Sequence, residues 1–263
     1  MKQIKIFLII ASVLLTATSC QKVIQIDLNS ASPKYVIEGG ITNQLEAYQI
    51  RITKTKNFSD DNNFNGVKNA FVTITDNAGN LDTLNYTTNG YYKSIPKIGV
   101  EGRLFTLNVR VENETFSASS QMPFLVPMDT VYGTNFLGFG DTIKRVKVKY
   151  LDPASQENYY RFVLYINNNI KEKIIVGDDK LNNGLKVEKN LTYRNDDDKI
   201  KEGDSVTVEM QCIDKAVYNY FVTLNKTISQ SSAAPTNPVS NISGGALGYF
   251  SAYTTQKRKV KIP

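Results

Sequence analysis

The sequence predicts a mainly β protein built as two β-sandwich-like domains, the second carrying one amphipathic helix. Three observations predict it. Short apolar segments of period two recur along most of the 263 residues, separated by Gly, Asn, Asp and Pro. Pro123 and Pro127 bracket a break between two halves of similar pattern. One segment alone, 213–228, changes to a helical period.

The chain opens on an address. Lys2 and Lys5 precede an apolar run from Ile6 to Leu15, and the small residues Ala17, Thr18 and Ser19 lead to Cys20. This is the anatomy of a secretory signal, too short for a spanning helix with its own stop-transfer flank. A cysteine directly after the small residues resembles a bacterial lipoprotein signal, in which residues 1–19 are removed and Cys20 is acylated with palmitate-like chains. Such chains add about 0.8 kcal/mol per buried CH₂, enough for stable anchoring in a membrane. Residues 20–34 read as a tether ending near Pro33.

The first domain is placed at 35–126. Strands are expected at 35–42, 48–54, 70–75 and 104–111, where Leu107, Val109 and Val111 alternate with Asn108 and Arg110. A turn is expected over Asp76, Asn77, Ala78, Gly79 and Asn80. The second domain is placed at 127–263. It begins with an expected long loop over 133–142, then strands at 145–151, 159–166 and 205–212. Val146, Val148 and Tyr150 should face inward. The stretch between the last two, with Asp178, Asp179 and Asp196 to Asp198, reads as exposed turns. Ile213, Ala216, Val217, Tyr220, Phe221, Leu224 and Ile228 share one helical face, and Asp214 is suited to cap it. Two strand-like pieces, 246–253 and 256–262, close the chain after a Ser-, Pro- and Gly-rich passage.

Composition excludes several chemistries. There is no histidine, so Ser-His-Asp and Cys-His nucleophiles and histidine metal sites are out. Two cysteines cannot build a zinc cluster, and with Cys20 acylated, Cys212 reads as a buried structural thiol. Loss of Lys2 and Lys5 with the signal takes the formal charge from +6 to +4, too mild for a nucleic-acid partner. The run from Asp61 to Gly66 opens like a calcium loop, but Val72 stands where the bidentate glutamate is due, and a solvated loop fits better. Lys144, Arg145, Lys147 and Lys149, with Lys257, Arg258, Lys259 and Lys261, form two basic edges. They suit an anionic partner and a lysine-guarded edge strand equally. No spacing singles out two carboxylates, and no metal or cofactor is expected. Near the C-terminus, Tyr249, Ser251 and Tyr253 alternate onto one face and Phe250 and Ala252 onto the other. The tyrosines could stack on a sugar or a peptide, or pack in the core with hydrogen-bonded phenols.

Several segments together carry a family resemblance. They are 33–39 (PKYVIEG), 70–80 (AFVTITDNAGN), 152–162 (DPASQENYYRF), 213–221 (IDKAVYNYF) and 237–253 (NPVSNISGGALGYFSAY). With Cys20 they resemble the Bacteroidota outer-membrane lipoproteins grouped as domain of unknown function 4249. Val72 to Gly79 with Asn89, Gly90, Tyr91 and Tyr92 is also similar to the prealbumin-type regulatory module of carboxypeptidases and TonB-dependent receptors. The resemblance implies a first domain that is prealbumin- or Ig-like. It implies an anchor in outer-membrane lipid through Cys20, on either the surface or the periplasmic side. Members are often encoded beside a TonB-dependent receptor, which implies a non-catalytic binding or docking accessory in nutrient uptake. The contact surface is then expected in the second domain, with Asn237, Asn241, Tyr249 and Tyr253 as binding residues. The competing readings are a structural or adhesive surface lipoprotein and, third, a hydrolase working through carboxylates.

Overall fold

The computed structural model describes residues 32–56, 61, 63–138, 141–192, 200–229 and 237–263. Cys20, nearly all of the tether and the run Asp196 to Asp198 lie outside the described residues. From Pro33 to Pro263 the chain forms one compact unit. It is mainly β and sandwich-like, with one described helix and two sheets.

The N-terminal half supplies β1 (Tyr35–Thr42), β2 (Glu46–Lys54), β3 (Phe71–Asp76), β4 (Leu81–Tyr86), β5 (Tyr91–Lys97), β6 (Leu104–Val111) and β7 (Glu114–Gln121). Ile37, Ile50, Val72, Leu107 and Val109 point from these strands into a first core. The turn after β3 forms where expected: the Asp76 carboxylate accepts from the backbone N–H groups of Ala78 at 3.0 Å and Asn80 at 2.9 Å.

The C-terminal half supplies β8 (Met128–Gly138), β9 (Asp141–Leu151), β10 (Tyr159–Ile166), β11 (Asn169–Ile170), β12 (Ile175–Asp178), β13 (Lys186–Asn190), β14 (Ser205–Ile213), α1 (Lys215–Ile228) and β15 (Leu247–Lys261). The loop expected over 133–142 is instead the body of a β8–β9 hairpin, paired from Met128–Tyr150 out to Gly138–Asp141. Gly133 reads as loop in sequence, yet it sits in the strand. A Cβ there would come within 2.7 Å of the Pro263 ring and 3.1 Å of Ile262, so the glycine admits the C-terminus against β8. The stretch expected to be turns likewise contains β12 and β13, which pair with β10 and β9. The two expected closing pieces are one continuous strand, β15.

Strand β15 organises the molecule. Along the large sheet the order is β11-β10-β14-β15-β1-β2-β5-β4-β3-β6-β7, while β13-β9-β8 forms a separate three-stranded sheet. The N-terminal end of β15 runs parallel to β1, from Val36–Leu247 to Thr42–Tyr253. Its C-terminal end pairs antiparallel with β14, from Cys212–Thr254 to Ser205–Lys261. Phe250 and Ala252 are buried in the first core, and Val260 packs on the second, built from Val146, Val148, Tyr160, Phe162, Val208 and Met210. The first core takes Ile242, Ala246, Phe250 and Ala252 from beyond residue 127, so one strand serves both cores. Cys212 is buried in the second core, where its sulfur accepts the Val126 N–H at 3.4 Å, and burial pushes its thiol pKa up.

Helix α1 begins where the sequence predicts. Asp214 accepts the Val217 N–H at 2.9 Å as N-cap. Its other oxygen accepts a hydrogen bond from the Ser120 hydroxyl of β7, and Ser120 in turn accepts the Ala252 N–H of β15 at 2.8 Å. Val217, Tyr220 and Phe221 bury the apolar face against Tyr159 and Ile213, with Tyr249 packed alongside.

Candidate functional site

The two faces of the large sheet differ. Phe250 and Ala252 of β15 enter the core, whereas Tyr249, Ser251, Tyr253 and Thr255 line a trough on the opposite face. The trough is two adjoining cavities of about 400 and 240 Å³ that share Glu46, Arg161, Gln211 and Tyr253. Register places these groups together. Arg161 of β10 lies opposite Gln211 of β14, and Gln211 lies opposite Thr255 of β15. One step along, Glu209 lies opposite Lys257; across the parallel seam, Gly40 faces Ser251 and Thr42 faces Tyr253.

Aromatic rings and helix α1 wall one end. The Tyr249 ring sits 4.9 Å from both Tyr220 and Phe221, and the Arg161 guanidinium lies 4.2 Å over the Phe221 ring. Arg161 also donates to the Gln211 side-chain oxygen at 3.1 Å. It has no ion-pair partner among the described residues.

The carboxylates are placed differently. Glu209 is buried and accepts from Gln211 at 2.7 Å, Tyr165 at 2.9 Å, Thr255 at 3.0 Å and Lys257 at 3.3 Å. Burial alone would raise its pKa, but these donors outweigh it and hold the group below the ordinary range, ionised at neutral pH. Glu46 is exposed and accepts the Thr42 hydroxyl at 2.7 Å through one oxygen. Burial raises the phenol pKa values of Tyr249 and Tyr253, and that of Tyr165 to about 12, so all three stay protonated. Ser251 is 2% exposed, and its hydroxyl has no partner among the described residues.

Of the four binding residues expected from sequence, Tyr249 and Tyr253 lie in the trough. Asn241 is spent on structure: its amide donates to the Phe250 carbonyl at 2.8 Å and its oxygen accepts the Phe250 N–H at 3.0 Å. With Ser240, which donates to the Gly248 carbonyl at 2.8 Å, it covers the edge of β15 before β14 begins. Asn237 is exposed and does not line the trough. Arg161, Glu209 and Gln211 were not singled out by sequence. Their signal is polar residues two apart within apolar strands, and only the pairing of β10, β14 and β15 brings them together.

Other charged groups are engaged elsewhere. Lys147 and Lys149 of β9 pair with Glu188 at 2.5 and 3.2 Å, and Lys144 with Glu202 at 3.3 Å; β9 lies between β13 and β8, so these lysines form ion pairs on a sheet face and do not guard the edge strand expected from sequence. A third cavity, about 190 Å³, is lined by two internal pairs, Arg103 with Asp76 at 2.7 Å and Lys97 with Asp82. Asp61 pairs with Lys56 at 2.5 Å. No cluster of three potential metal ligands occurs among the described residues.

Fold and site thus define a sandwich-like β-protein with a polar, aromatic trough on one sheet face. The chain belongs to the family described as Domain of unknown function (DUF4249), which it matches over residues 21–259. No curated protein matches it.

Proposed function

We propose that the chain is a non-catalytic binding protein, anchored to outer-membrane lipid through acylated Cys20, that serves as accessory to a TonB-dependent receptor in nutrient uptake. The observation that carries the binding role is the trough. An unpaired guanidinium and two protonated tyrosines, Tyr165 and Tyr253, line a cavity of about 400 Å³, within the size range of small-ligand sites, about 300–1,000 Å³, and the unpartnered Ser251 hydroxyl lies in the adjoining cavity of about 240 Å³. Its chemistry favours holding over turnover. The Glu209 carboxylate is saturated with donors and stays ionised, and the phenols titrate far above neutrality, so neither is poised for general acid–base work near pH 7. The membrane and receptor parts rest on the segment 1–20 and on the family resemblance. Among the described residues no helix is long and apolar enough to cross a membrane.

The test is a pull-down of the tagged full chain from detergent-solubilised outer membranes, with co-purifying proteins identified by mass spectrometry. A stoichiometric TonB-dependent receptor supports the accessory role. Recovery of the chain alone, under conditions that keep other receptor complexes intact, refutes it and leaves the structural or adhesive role in front.

A further inference from the structure

We propose that the trough takes an acidic saccharide of the hexuronate class, with its carboxylate on Arg161 and its hydroxyls on the surrounding polar groups. This rests on the binding role above and names the chemistry of its ligand.

Arg161 stands where the two cavities meet and makes no direct ion pair among the described residues; of the carboxylates in the trough, Glu209 is held by its own donors and Glu46 by Thr42. A guanidinium held in a cavity loses hydration, and an incoming carboxylate restores the balance. Gln211 occupies one Nη1 proton and Phe221 covers one face of the guanidinium. The remaining N–H edge is a planar fork, and a planar carboxylate matches it with two parallel hydrogen bonds. Glu209 does not compete for that fork, because its four donors already satisfy it.

The rest of the lining calls for hydroxyls. Tyr253 has a phenol proton to give and no hydrogen-bond partner among the described residues. The Ser251 hydroxyl is buried and unsatisfied, a cost that a bound polar group removes. The second carboxylate oxygen of Glu46 is left to accept from a ligand hydroxyl, and the Gln49 amide lines the same cavity. Tyrosine rings beside these groups offer flat apolar surface to the C–H face of a sugar. Two adjoining cavities suit two sugar units.

A peptide fits less well. Peptides bind by adding a strand to a free sheet edge or by laying an apolar helix face in an apolar groove. The floor of this trough is the face of β10, β14, β15, β1 and β2, and these strands are paired to neighbours within the sheet. They offer side chains there, not free backbone groups.

The test is isothermal titration calorimetry on the full chain in detergent, with three probes: digalacturonate, its dimethyl ester and a dipeptide. The ester keeps the sugar skeleton and removes the charge. We expect saturable one-to-one binding of digalacturonate, with the ester at least about tenfold weaker. Losing a charged hydrogen-bonded partner should make Arg161→Gln bind about 10–100-fold more weakly. Arg161→Lys keeps the charge without the fork and should fall between. Circular dichroism checks that the variants are folded, and the ester comparison needs no variant at all. Equal affinity for acid and ester, no binding of either, preference for the dipeptide, or full affinity in folded Arg161→Gln would each overturn the proposal. Ester binding that ignores Arg161 would sink the acidic ligand while leaving a binding protein. The receptor pull-down is read independently of all of these.

Discussion

The Asp76 turn supports the most quantitative prediction. Its carboxylate accepts from the Ala78 and Asn80 N–H groups, from the Asn80 side-chain amide at 2.8 Å and from Arg103 at 2.7 Å. Burial opposes ionisation, yet these four donors win and bring the pKa from 3.8 to about 2. That gap is worth about 2.4 kcal/mol at roughly 1.4 kcal/mol per tenfold change in proton affinity. Arg103 is 34% exposed, and water screening there reduces the figure to about 2 kcal/mol.

The sign follows from which state holds the proton. The unfolded chain binds it more readily, so folding gains above the ordinary pKa and loses that gain as pH falls through the folded one. The contribution is whole at pH 6, about half gone at pH 3 and absent below about pH 1. Asp76→Asn removes the titrating group while Arg103 stays charged throughout. Urea unfolding of both proteins should therefore show a stability gap that narrows by about 1 kcal/mol between pH 6 and pH 3. A gap that stays constant over that interval would refute the account of this turn.

Three further predictions follow the same logic. Asp214→Ala removes a helix cap worth about 1 kcal/mol and strands the buried Ser120 hydroxyl at about 1–3 kcal/mol, so urea unfolding should show a loss of about 2–4 kcal/mol, with Asp214→Asn costing about 1. Gly248 has φ +99°, and a Cβ there would lie 2.0 Å from the Ile37 carbonyl oxygen; Gly248→Ala should cost at least about 2 kcal/mol, and a melting temperature matching wild type would contradict the close pairing of β1 and β15. Cys212, buried with a raised pKa, should resist an aromatic disulfide reagent in the native chain and react at once in urea; rapid native labelling would show that the second core is open there.

How much was legible in sequence depended on the range of the interaction. Helix α1 was readable because its signals are local: apolar residues at helical spacing, of which Val217, Tyr220 and Phe221 are buried, and an Asp214 cap; Ile213, expected on the same face, instead ends β14, and Ala216 and Ile228 are exposed. The inward set Val146, Val148 and Tyr150 was readable because period two needs only one strand. The β8–β9 hairpin was not, since the glycines that read as loop sit in a ladder with β9, Gly133 opposite Val146, and the reason for a glycine there is Pro263 packed against it, 130 residues away. Half of the site had the same fate. Alternation put Tyr249, Ser251 and Tyr253 on one face, and they line one trough. Alternation gave no hint that Arg161 and Glu209 would join them, because that requires the order of β10, β14 and β15 in the sheet. Asn241 misled for a related reason. A polar residue in a glycine-rich loop reads as available, but here it completes the edge of β15 where no neighbouring strand does.

The length of β15 explains why core and trough share so few residues yet depend on one another. A strand turns successive side chains to opposite faces. Phe250 and Ala252 therefore serve only the core, and Tyr249, Ser251 and Tyr253 serve the trough. The backbone between them serves both, because it carries the hydrogen bonds to β1 on one side and β14 on the other. Polar groups on the trough face are thus held at fixed spacing by packing they do not take part in. The arrangement is the one a binding site needs: its geometry is secured by the buried face, and its chemistry is free to follow the ligand.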